Sequence, residues 1–206
     1  MKSSHSAKPE SPAESSVGLS PALSPRRAKQ RRVIQTAATR LVAANGIAAV
    51  SVEQILEEAG VSRRTFYGYF SNKYKLIASV VNPALADGTV LLKKVLRKPA
   101  AEAVPGIVDC YCELWLCHSE ALSLISALDR DVMPYLHDSH ISFGEALKKL
   151  LGKAERAKLL RNHSGDMSFK VITRTAVPLL KLYGDQPEGL DTFRSSMLAL
   201  LLKDNA

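Results

Sequence analysis

The chain has 206 residues, of which 46% are apolar, and a formal net charge of +8. This composition is sufficient for one larger hydrophobic core or two smaller ones. No run approaches 18 uncharged apolar residues, and the Ser-rich start lacks the apolar segment of an export signal, so we expect a cytoplasmic protein without a membrane span. Three cysteines, an odd number, argue against a disulfide framework.

The net charge is concentrated in one segment of the chain. Residues 26–82 contain ten Lys or Arg against three Glu, whereas the segments on either side are close to neutral. A compact basic segment beside a neutral remainder is typical of a nucleic-acid-binding domain joined to a second domain. We therefore predict a DNA-binding domain at 26–82 and a second domain at 83–206.

The chain begins with a segment of low complexity. Residues 1–25 contain eight Ser and four Pro, too little apolar surface to offset the entropy of ordering, so we expect a disordered tail. From Arg26 onward apolar residues recur at helical spacing as far as Val42, which predicts a first helix. Asn45 and Gly46 are expected to end that helix.

The next segment has the pattern of a helix–turn–helix. Ser51 and Gln54 have capping-box spacing at the start of a second helix, which Gly60 is expected to end. Ser62 is suited to cap a third helix, predicted over about 63–69. Two short helices joined by so tight a turn are typical of the motif whose second helix enters the major groove of DNA.

The remainder of the chain also has helical periodicity, and we predict an all-α fold. A fourth helix is expected to start at Asn72, with a bend or an interruption at Pro83 and Gly88 before Lys98. Pro105 suits the first turn of the helix that follows. The further helices are predicted over residues 105–118, 120–136, 141–160, 166–183 and 187–203.

The predicted third helix opens with Arg63, Arg64 and Thr65. An arginine can donate two parallel hydrogen bonds to guanine, and a threonine methyl group can contact the methyl group of thymine. Phe66 and Phe70 are spaced to face the core beneath this helix. The helix therefore has the side chains that reading of base edges requires.

Other polar side chains near this helix are candidates for contact with the DNA backbone. Arg26, Arg27 and Lys29 lie in a basic run, for which we expect phosphate or minor-groove contacts rather than a merely solvated helix start. Tyr67 and Tyr69 are expected at the edges of the third helix, where a hydroxyl can reach a phosphate.

At these residues the sequence resembles the tetracycline-repressor (TetR) family of bacterial transcriptional regulators. The resemblance covers roughly residues 28–81, and it consists of many positions in a fixed register rather than one short motif. The matching positions are Gly46, Ser51, Ala59, Gly60, Val61, Ser62, Thr65, Phe66, Tyr67, Phe70, Lys73 and Leu76.

The resemblance implies roles for individual residues. The family's base-reading positions fall on Arg63, Arg64, Thr65, Gly68 and Tyr69. Its phosphate-contacting positions fall on Ser51, Tyr67 and Lys73, and Gln54 lies where the second helix approaches the groove. Many members have a small residue at position 64 and a large one near position 68, so this chain departs from the family at both places.

The resemblance also implies a homodimer that binds a palindromic double-stranded operator, usually as a repressor, and leaves it when a small-molecule effector enters the second domain. No cofactor is implied. The sequence has no nucleophile elbow, phosphate loop or metalloprotease motif, so we do not expect an enzyme.

Two alternative functions are open at this point. The first is a thiol- or metal-responsive transcriptional sensor that uses Cys110, Cys112 and Cys117, although their spacing fits no standard zinc site. The second is an architectural DNA-binding protein that responds to no ligand.

One helix of the second domain indicates where an effector would bind. In the helix predicted over 105–118, Tyr111, Trp115 and His118 share one face, and Cys117 lies on the neighbouring face. We predict that these four residues line an apolar pocket for a ligand with few polar anchors. The alternative is that both faces belong to an ordinary core.

The last two predicted helices have apolar stripes that need a partner surface. Pairing both with their copies about a two-fold axis would give a four-helix dimer interface. The competing interpretation is that one stripe completes the core of the monomer. The predicted interface residues are Phe169, Ile172, Ala176, Leu180, Phe193 and Met197.

Overall fold

The computed structural model describes residues 24–125 and 127–203, and these residues form eight α-helices. The helices are α1 (Pro25–Asn45), α2 (Val52–Ala59), α3 (Arg63–Tyr67), α4 (Lys73–Val95), α5 (Ala103–Ile125), α6 (Met133–Arg156), α7 (Gly165–Tyr183) and α8 (Gly189–Leu201). Within the described ranges, β structure is limited to one isolated bridge between Leu160 and Leu202. The predicted all-α fold is confirmed. The predicted tail lies outside the described residues, except for Ser24 and Pro25, where α1 begins.

Helices α2 and α3 form as their local sequence predicts. The Ser51 hydroxyl accepts from the Gln54 N–H at 3.1 Å, and the Gln54 side chain accepts from the Ser51 N–H at 2.8 Å, which confirms the capping box. Gly60 ends α2 in the left-handed conformation with φ 62°. Ser62 caps α3, but α3 is shorter than predicted and ends at Tyr67.

An aromatic pair holds α3 on its neighbours. Phe66 is fully buried and Phe70 is 4% exposed, as the spacing predicted, and their ring centroids lie 5.9 Å apart. Ile34 of α1 and Ile55 of α2 are buried in the same hydrophobic cluster. Burial of this face leaves the opposite face of α3 in solvent.

The predicted interruption of the fourth helix is wrong, because α4 is continuous through Pro83 and Gly88. A proline inside a helix costs a backbone hydrogen bond, but ten residues of α4 are buried, and this packing outweighs the local signal. Gly88 permits a close approach of α5 and α6, since a Cβ there would lie 2.6 Å from Phe143 Cε2 and 2.9 Å from Leu114 Cδ1.

Helix α4 also passes through the domain boundary expected between residues 82 and 83. Its first turn follows the helix–turn–helix directly, and its later turns belong to the second group of helices. Among the described helices, α4 alone is long and apolar enough to cross a membrane, which the sequence had not led us to expect. This is weak evidence for a span, because half of its most apolar window is buried, as in a core helix.

Two predicted helix boundaries in the second domain are wrong. Helix α5 continues beyond the predicted end at His118, where a kink interrupts the regular geometry (φ −143°, ψ 32°), and it reaches Ile125. The helix predicted over 120–136 is therefore replaced by the end of α5, a turn and the start of α6 at Met133. Pro134 accounts for that start, because proline is favoured in the first helical turn.

The residues predicted to form the dimer interface are buried within a single chain. Phe169 is half-buried against the core of its own chain. The other five are at most 1% exposed, and they are Ile172, Ala176, Leu180, Phe193 and Met197. The prediction of an interface through these residues is therefore wrong, and the stripes of α7 and α8 both complete the monomer core. Periodicity identified the buried face but not the surface that buries it.

We expect alanine at Gly88 and at Gly144, both inside long helices, to differ in its effect on stability. Each substitution gains about 1 kcal/mol of helix propensity. A Cβ at position 144 would meet nothing within 4 Å, whereas one at position 88 would press on Phe143 and Leu114, and such overpacking costs about 1–3 kcal/mol. Urea denaturation should place Gly88→Ala below Gly144→Ala by that amount. Equal free energies of unfolding would contradict the close packing at Gly88.

Candidate nucleic-acid interface and ligand cavity

The two arginines that open α3 have different environments. Arg63 Nη2 lies 2.5 Å from Glu53 Oε1 of α2, and both side chains are largely exposed. Arg64 is exposed, and its guanidinium makes no hydrogen bond or ion pair with any residue that the structure describes. Because an unpaired guanidinium can donate to a base without first leaving a carboxylate, Arg64 is the stronger candidate for base contact.

Three of the other predicted contact residues also serve in helix caps. Thr65 Oγ1 lies 2.9 Å from the capping hydroxyl of Ser62, and Ser51 and Gln54 form the capping box of α2. Capping leaves each of the latter two with unused donors: the Ser51 hydroxyl can still donate, and the Gln54 amide keeps its NH₂ group. Both side chains are exposed, so capping is compatible with contact to DNA.

Tyr67 and Tyr69 differ in how firmly other residues hold their side chains. Tyr67 is 50% exposed at the end of α3. Tyr69 is half-buried, and its hydroxyl donates to Gln30 Oε1 of α1 at 3.1 Å, while the Arg27 guanidinium lies 5.6 Å from its ring centroid. Tyr69 is thus held against α1, and Tyr67 is the freer of the two for a phosphate. Gly68, between them, is exposed.

Lys73 does not extend freely into solvent, as a simple phosphate contact would. Its Nζ donates to the carbonyl oxygens of Ile47 at 2.8 Å and Val50 at 2.7 Å, which holds the loop between α1 and α2 onto α4. Two of its three ammonium protons are therefore used inside the protein. This corrects our prediction, because Lys73 has a structural role here. Lys75, which the sequence reasoning passed over, is exposed on the same first turn.

The basic run at the start of α1 lies beside α3, as predicted. Arg26, Arg27 and Lys29 are exposed. The Arg27 guanidinium stacks over Tyr69, and that of Arg31 lies 5.6 Å from the ring centroid of Phe70. These two cation–π contacts hold the start of α1 against the end of the helix–turn–helix. Contact between this run and DNA is still a prediction.

Tyr135, at the start of α6, is hydrogen-bonded to two asparagines, one that caps α4 and one that lies within α4. Asn72, which caps α4, donates from Nδ2 to the Tyr135 hydroxyl at 3.1 Å. Asn82 donates from Nδ2 to the Tyr135 carbonyl at 3.1 Å, and the rings of Tyr74 and Tyr135 stack with centroids 6.1 Å apart. Tyr135 therefore connects the second group of helices to the cap that directly follows the helix–turn–helix.

A cavity of about 260 Å³ lies between α4, α5, α6 and α7. Its walls are predominantly aliphatic and aromatic, including Leu85 of α4, Leu114 of α5, Phe143 of α6 and Ile172 of α7. Of the four residues predicted to line an effector pocket, Tyr111 lines this cavity. The apolar character expected of the pocket is thus present, with a different set of walls.

The other three predicted pocket residues lie elsewhere. Trp115 is buried toward the end of α7, where its indole N–H donates to Asp185 Oδ1 at 3.0 Å. Cys117 is exposed, and His118 Nε2 lies 2.8 Å from Asp87 Oδ2 in a separate surface hollow. Helical spacing marked α5 as broadly apolar, but it could not tell which edge of that face would meet the cavity.

Sequence reasoning also missed two polar residues of the cavity. His140 of α6 and Thr173 of α7 line its exposed side. The helix containing His140 was predicted to start only at residue 141, so no pattern placed this imidazole on a cavity wall. Thr173 lay on the polar side of the stripe that we had assigned to a dimer interface.

The geometry gives no support to a thiol or metal sensor. Burial raises the pKa of the Cys110 thiol to about 12 and also raises the pKa of Cys112, so both stay protonated near neutral pH and are poor nucleophiles. Cys117 is exposed but solitary. In the part of the chain that the structure describes, no three His, Cys, Asp or Glu side chains are grouped to hold a metal ion.

These features define a helix–turn–helix DNA-binding regulator whose remaining helices surround a cavity. Residues 34–80 match the family model of bacterial regulatory proteins, tetR family. Residues 34–80 thus form a DNA-binding domain of the tetR family, as the resemblance implied. No curated protein matches the chain.

Solved structures of transcriptional regulators share the fold over most of the chain. KstR2, a ketosteroid regulator of Mycobacterium tuberculosis, has 15% identity and a TM-score of 0.68, over 89% of this chain and 98% of that one. NalD, a repressor of a multidrug efflux pump in Pseudomonas aeruginosa, has 18% identity and a TM-score of 0.60, over 87% and 98%. FadR, a fatty acid degradation regulator of Bacillus halodurans, has 15% identity and a TM-score of 0.61, over 84% and 94%. Identities this low establish the fold alone.

Arg64→Ala should weaken binding to a site selected by the full chain by about 1–3 kcal/mol and relax base preference at one position of each half-site, because a base contact is lost. Lys75→Ala is the control: we expect this exposed lysine to contact phosphate, so its loss should weaken binding to selected and random duplexes alike. Fluorescence anisotropy on both duplexes measures the two effects. If Arg64→Ala weakens both duplexes equally, Arg64 contacts phosphate instead.

Proposed function

We propose that this chain is a cytoplasmic, homodimeric repressor that binds a palindromic operator and leaves it when a small apolar molecule enters the cavity. The observation that carries the proposal is the continuity of α4, which follows the helix–turn–helix directly and then forms a wall of the cavity. A wholly architectural DNA-binding protein would have no use for an apolar cavity on the same helix, so that alternative has less support.

The coupling that we propose starts at the cavity. Met133 and Leu136 at the start of α6 line it, and Tyr135 between them bonds to Asn72 and Asn82. A ligand that displaces this part of α6 would pull on the cap of α4, one loop away from α3. The effector would then favour a spacing of the two recognition helices that no longer fits successive major grooves, about 34–36 Å apart.

The outward faces of α7 and α8 support a dimer different from the one that the sequence predicted. Met167 and Leu182 of α7 are 49% and 60% exposed, and Leu200 of α8 is 45% exposed. Met167 and Leu182 lie away from the buried stripe of α7. Leu200, in the last turn of α8, is exposed beside the buried Met197 and Leu201. Pairing of both helices with their copies would bury these faces in an isologous four-helix interface.

The double variant Leu182→Glu, Leu200→Glu should therefore be monomeric, helical and weak on DNA, because charges are placed in the interface while the core is untouched. Phe193→Glu, which introduces a charge at a fully buried position, should instead lose helicity. Sedimentation and circular dichroism separate the two results. A double variant that still sediments as a dimer would place the interface elsewhere.

Repression is tested with an operator selected from random duplexes by the full-length chain. Placed over a promoter, this operator should reduce transcription in vitro when the protein is added, because a bound dimer blocks polymerase. A matched promoter with a scrambled site is the control. An increase in transcript from the operator promoter would make the protein an activator and would contradict the proposal.

A further inference from the structure

The residues lining the cavity between α4 and α7 include no Lys, Arg, Asp or Glu. A charged group inside it would lose its hydration without gaining a counterion. His140 is the one ionisable nitrogen base among the lining residues, and it is exposed at the edge of the cavity rather than buried within it. The interior of the cavity therefore favours binding of uncharged ligands over ions.

The Tyr111 hydroxyl is the polar group of the inner wall. Tyr111 is 5% exposed, and its hydroxyl makes no hydrogen bond to any residue that the structure describes. Among the described side chains, two polar atoms have neither solvent-accessible surface nor a hydrogen-bond partner, and they are Thr39 Oγ1 and Asn82 Oδ1. The Tyr111 oxygen is not one of them although it has no partner, so it retains accessible surface and borders open space. The space that Tyr111 lines is this cavity.

The hydroxyl is held there as a hydrogen-bond donor. Burial, with a smaller contribution from Cys110, raises the pKa of Tyr111 above its ordinary range, so the phenol keeps its proton at neutral pH. Its ring meets Phe143 edge-on, with centroids 6.1 Å apart, which fixes its direction. A buried donor without a partner is unfavourable, and a ligand that supplies an acceptor removes that cost.

The volume of the cavity and the aromatic rings in its wall further limit the size and the chemical class of the ligand. An apolar cavity of about 150 Å³ holds one benzene molecule, so a cavity of about 260 Å³ has room for one ring and a few further atoms. Tyr111, Phe143 and Phe169 all line the space, and aromatic edges and faces favour an aromatic guest. The cavity thus suits a single ring with a short substituent.

We propose that the cavity binds an uncharged monocyclic aromatic molecule whose carbonyl or ether oxygen accepts a hydrogen bond from the Tyr111 hydroxyl. As an identification of the effector, this inference rests on the proposed function, but binding itself is independent of DNA. The molecule enters between α6 and α7, past Gly144, where a side chain would meet open space.

The test uses the full-length chain and three probes of matched size: acetophenone, cumene and benzoate. They share the ring and differ in having a neutral acceptor, no acceptor, or a charge. Calorimetry should show acetophenone binding about threefold to tenfold more tightly than cumene, the range for one hydrogen bond. Benzoate should not bind. Tighter binding of benzoate than of acetophenone would overturn the inference, because it would mean recognition of a carboxylate at His140.

Two pairs of variants test the geometry. Tyr111→Phe should remove the preference for acetophenone over cumene and leave cumene affinity unchanged. Gly144→Trp should block entry and abolish binding of both, whereas Ser142→Trp, on an exposed position of α6 outside the cavity lining, should leave binding intact. Circular dichroism confirms folding of each variant. An unchanged preference in Tyr111→Phe, or intact binding in Gly144→Trp, would overturn the inference.

The same probes distinguish failure of this inference from failure of the proposed function. If acetophenone binds as expected but operator affinity does not change, the ligand class stands and release by the ligand fails. If the operator is bound and the three probes bind equally or not at all, the ligand class fails and DNA binding stands.

Discussion

Helix α4 stays a helix through Pro83 because ten of its residues are buried among the other helices, and most of the molecule is arranged around that burial. Asn72 at its start fixes the exit from the helix–turn–helix, and Leu85 further along forms part of the cavity wall. Gly88 allows α5 and α6 to approach closely enough to enclose the cavity. If α4 were interrupted, no continuous helix would join the helix–turn–helix to the helices that enclose the cavity.

Tyr135 is a second point at which the two parts meet, and its chemistry differs from that of α4. Helix α4 joins the two parts by a continuous backbone, whereas Tyr135 joins them by two hydrogen bonds from asparagine amides and one stacked ring. Hydrogen bonds between half-exposed groups contribute only about 0.5–1.5 kcal/mol each. In the proposed coupling, bonds of this strength bias the arrangement of the recognition helices, and binding of a small ligand reverses that bias.

The sequence predicted best where the determinants are local. The capping box at Ser51 and Gln54 requires only neighbouring residues, and the buried pair Phe66 and Phe70 requires only helical spacing. It predicted least where a buried face had to be matched to its partner. The apolar spacing around Phe193 was compatible both with a dimer interface and with a monomer core, and the structure places Phe193 in the monomer core. The cavity could not be predicted because it depends on contacts between helices that are far apart in the chain.

The internal bond of Lys73 changes how the basic segment acts on DNA. Of the ten cations in residues 26–82, Arg40 and Arg63 are paired with glutamates at 2.5 Å, and Lys73 is held by two carbonyls, which leaves seven. A cation that neutralises a phosphate releases roughly 0.9 counterion, but one already engaged by the protein adds nothing until it leaves its partner. The release of condensed ions on DNA binding then follows the seven cations that have neither a carboxylate nor a carbonyl partner, including Arg27 and Arg31, which lie over aromatic rings but keep their full charge. The affinity is therefore less sensitive to ionic strength than the amino-acid count implies.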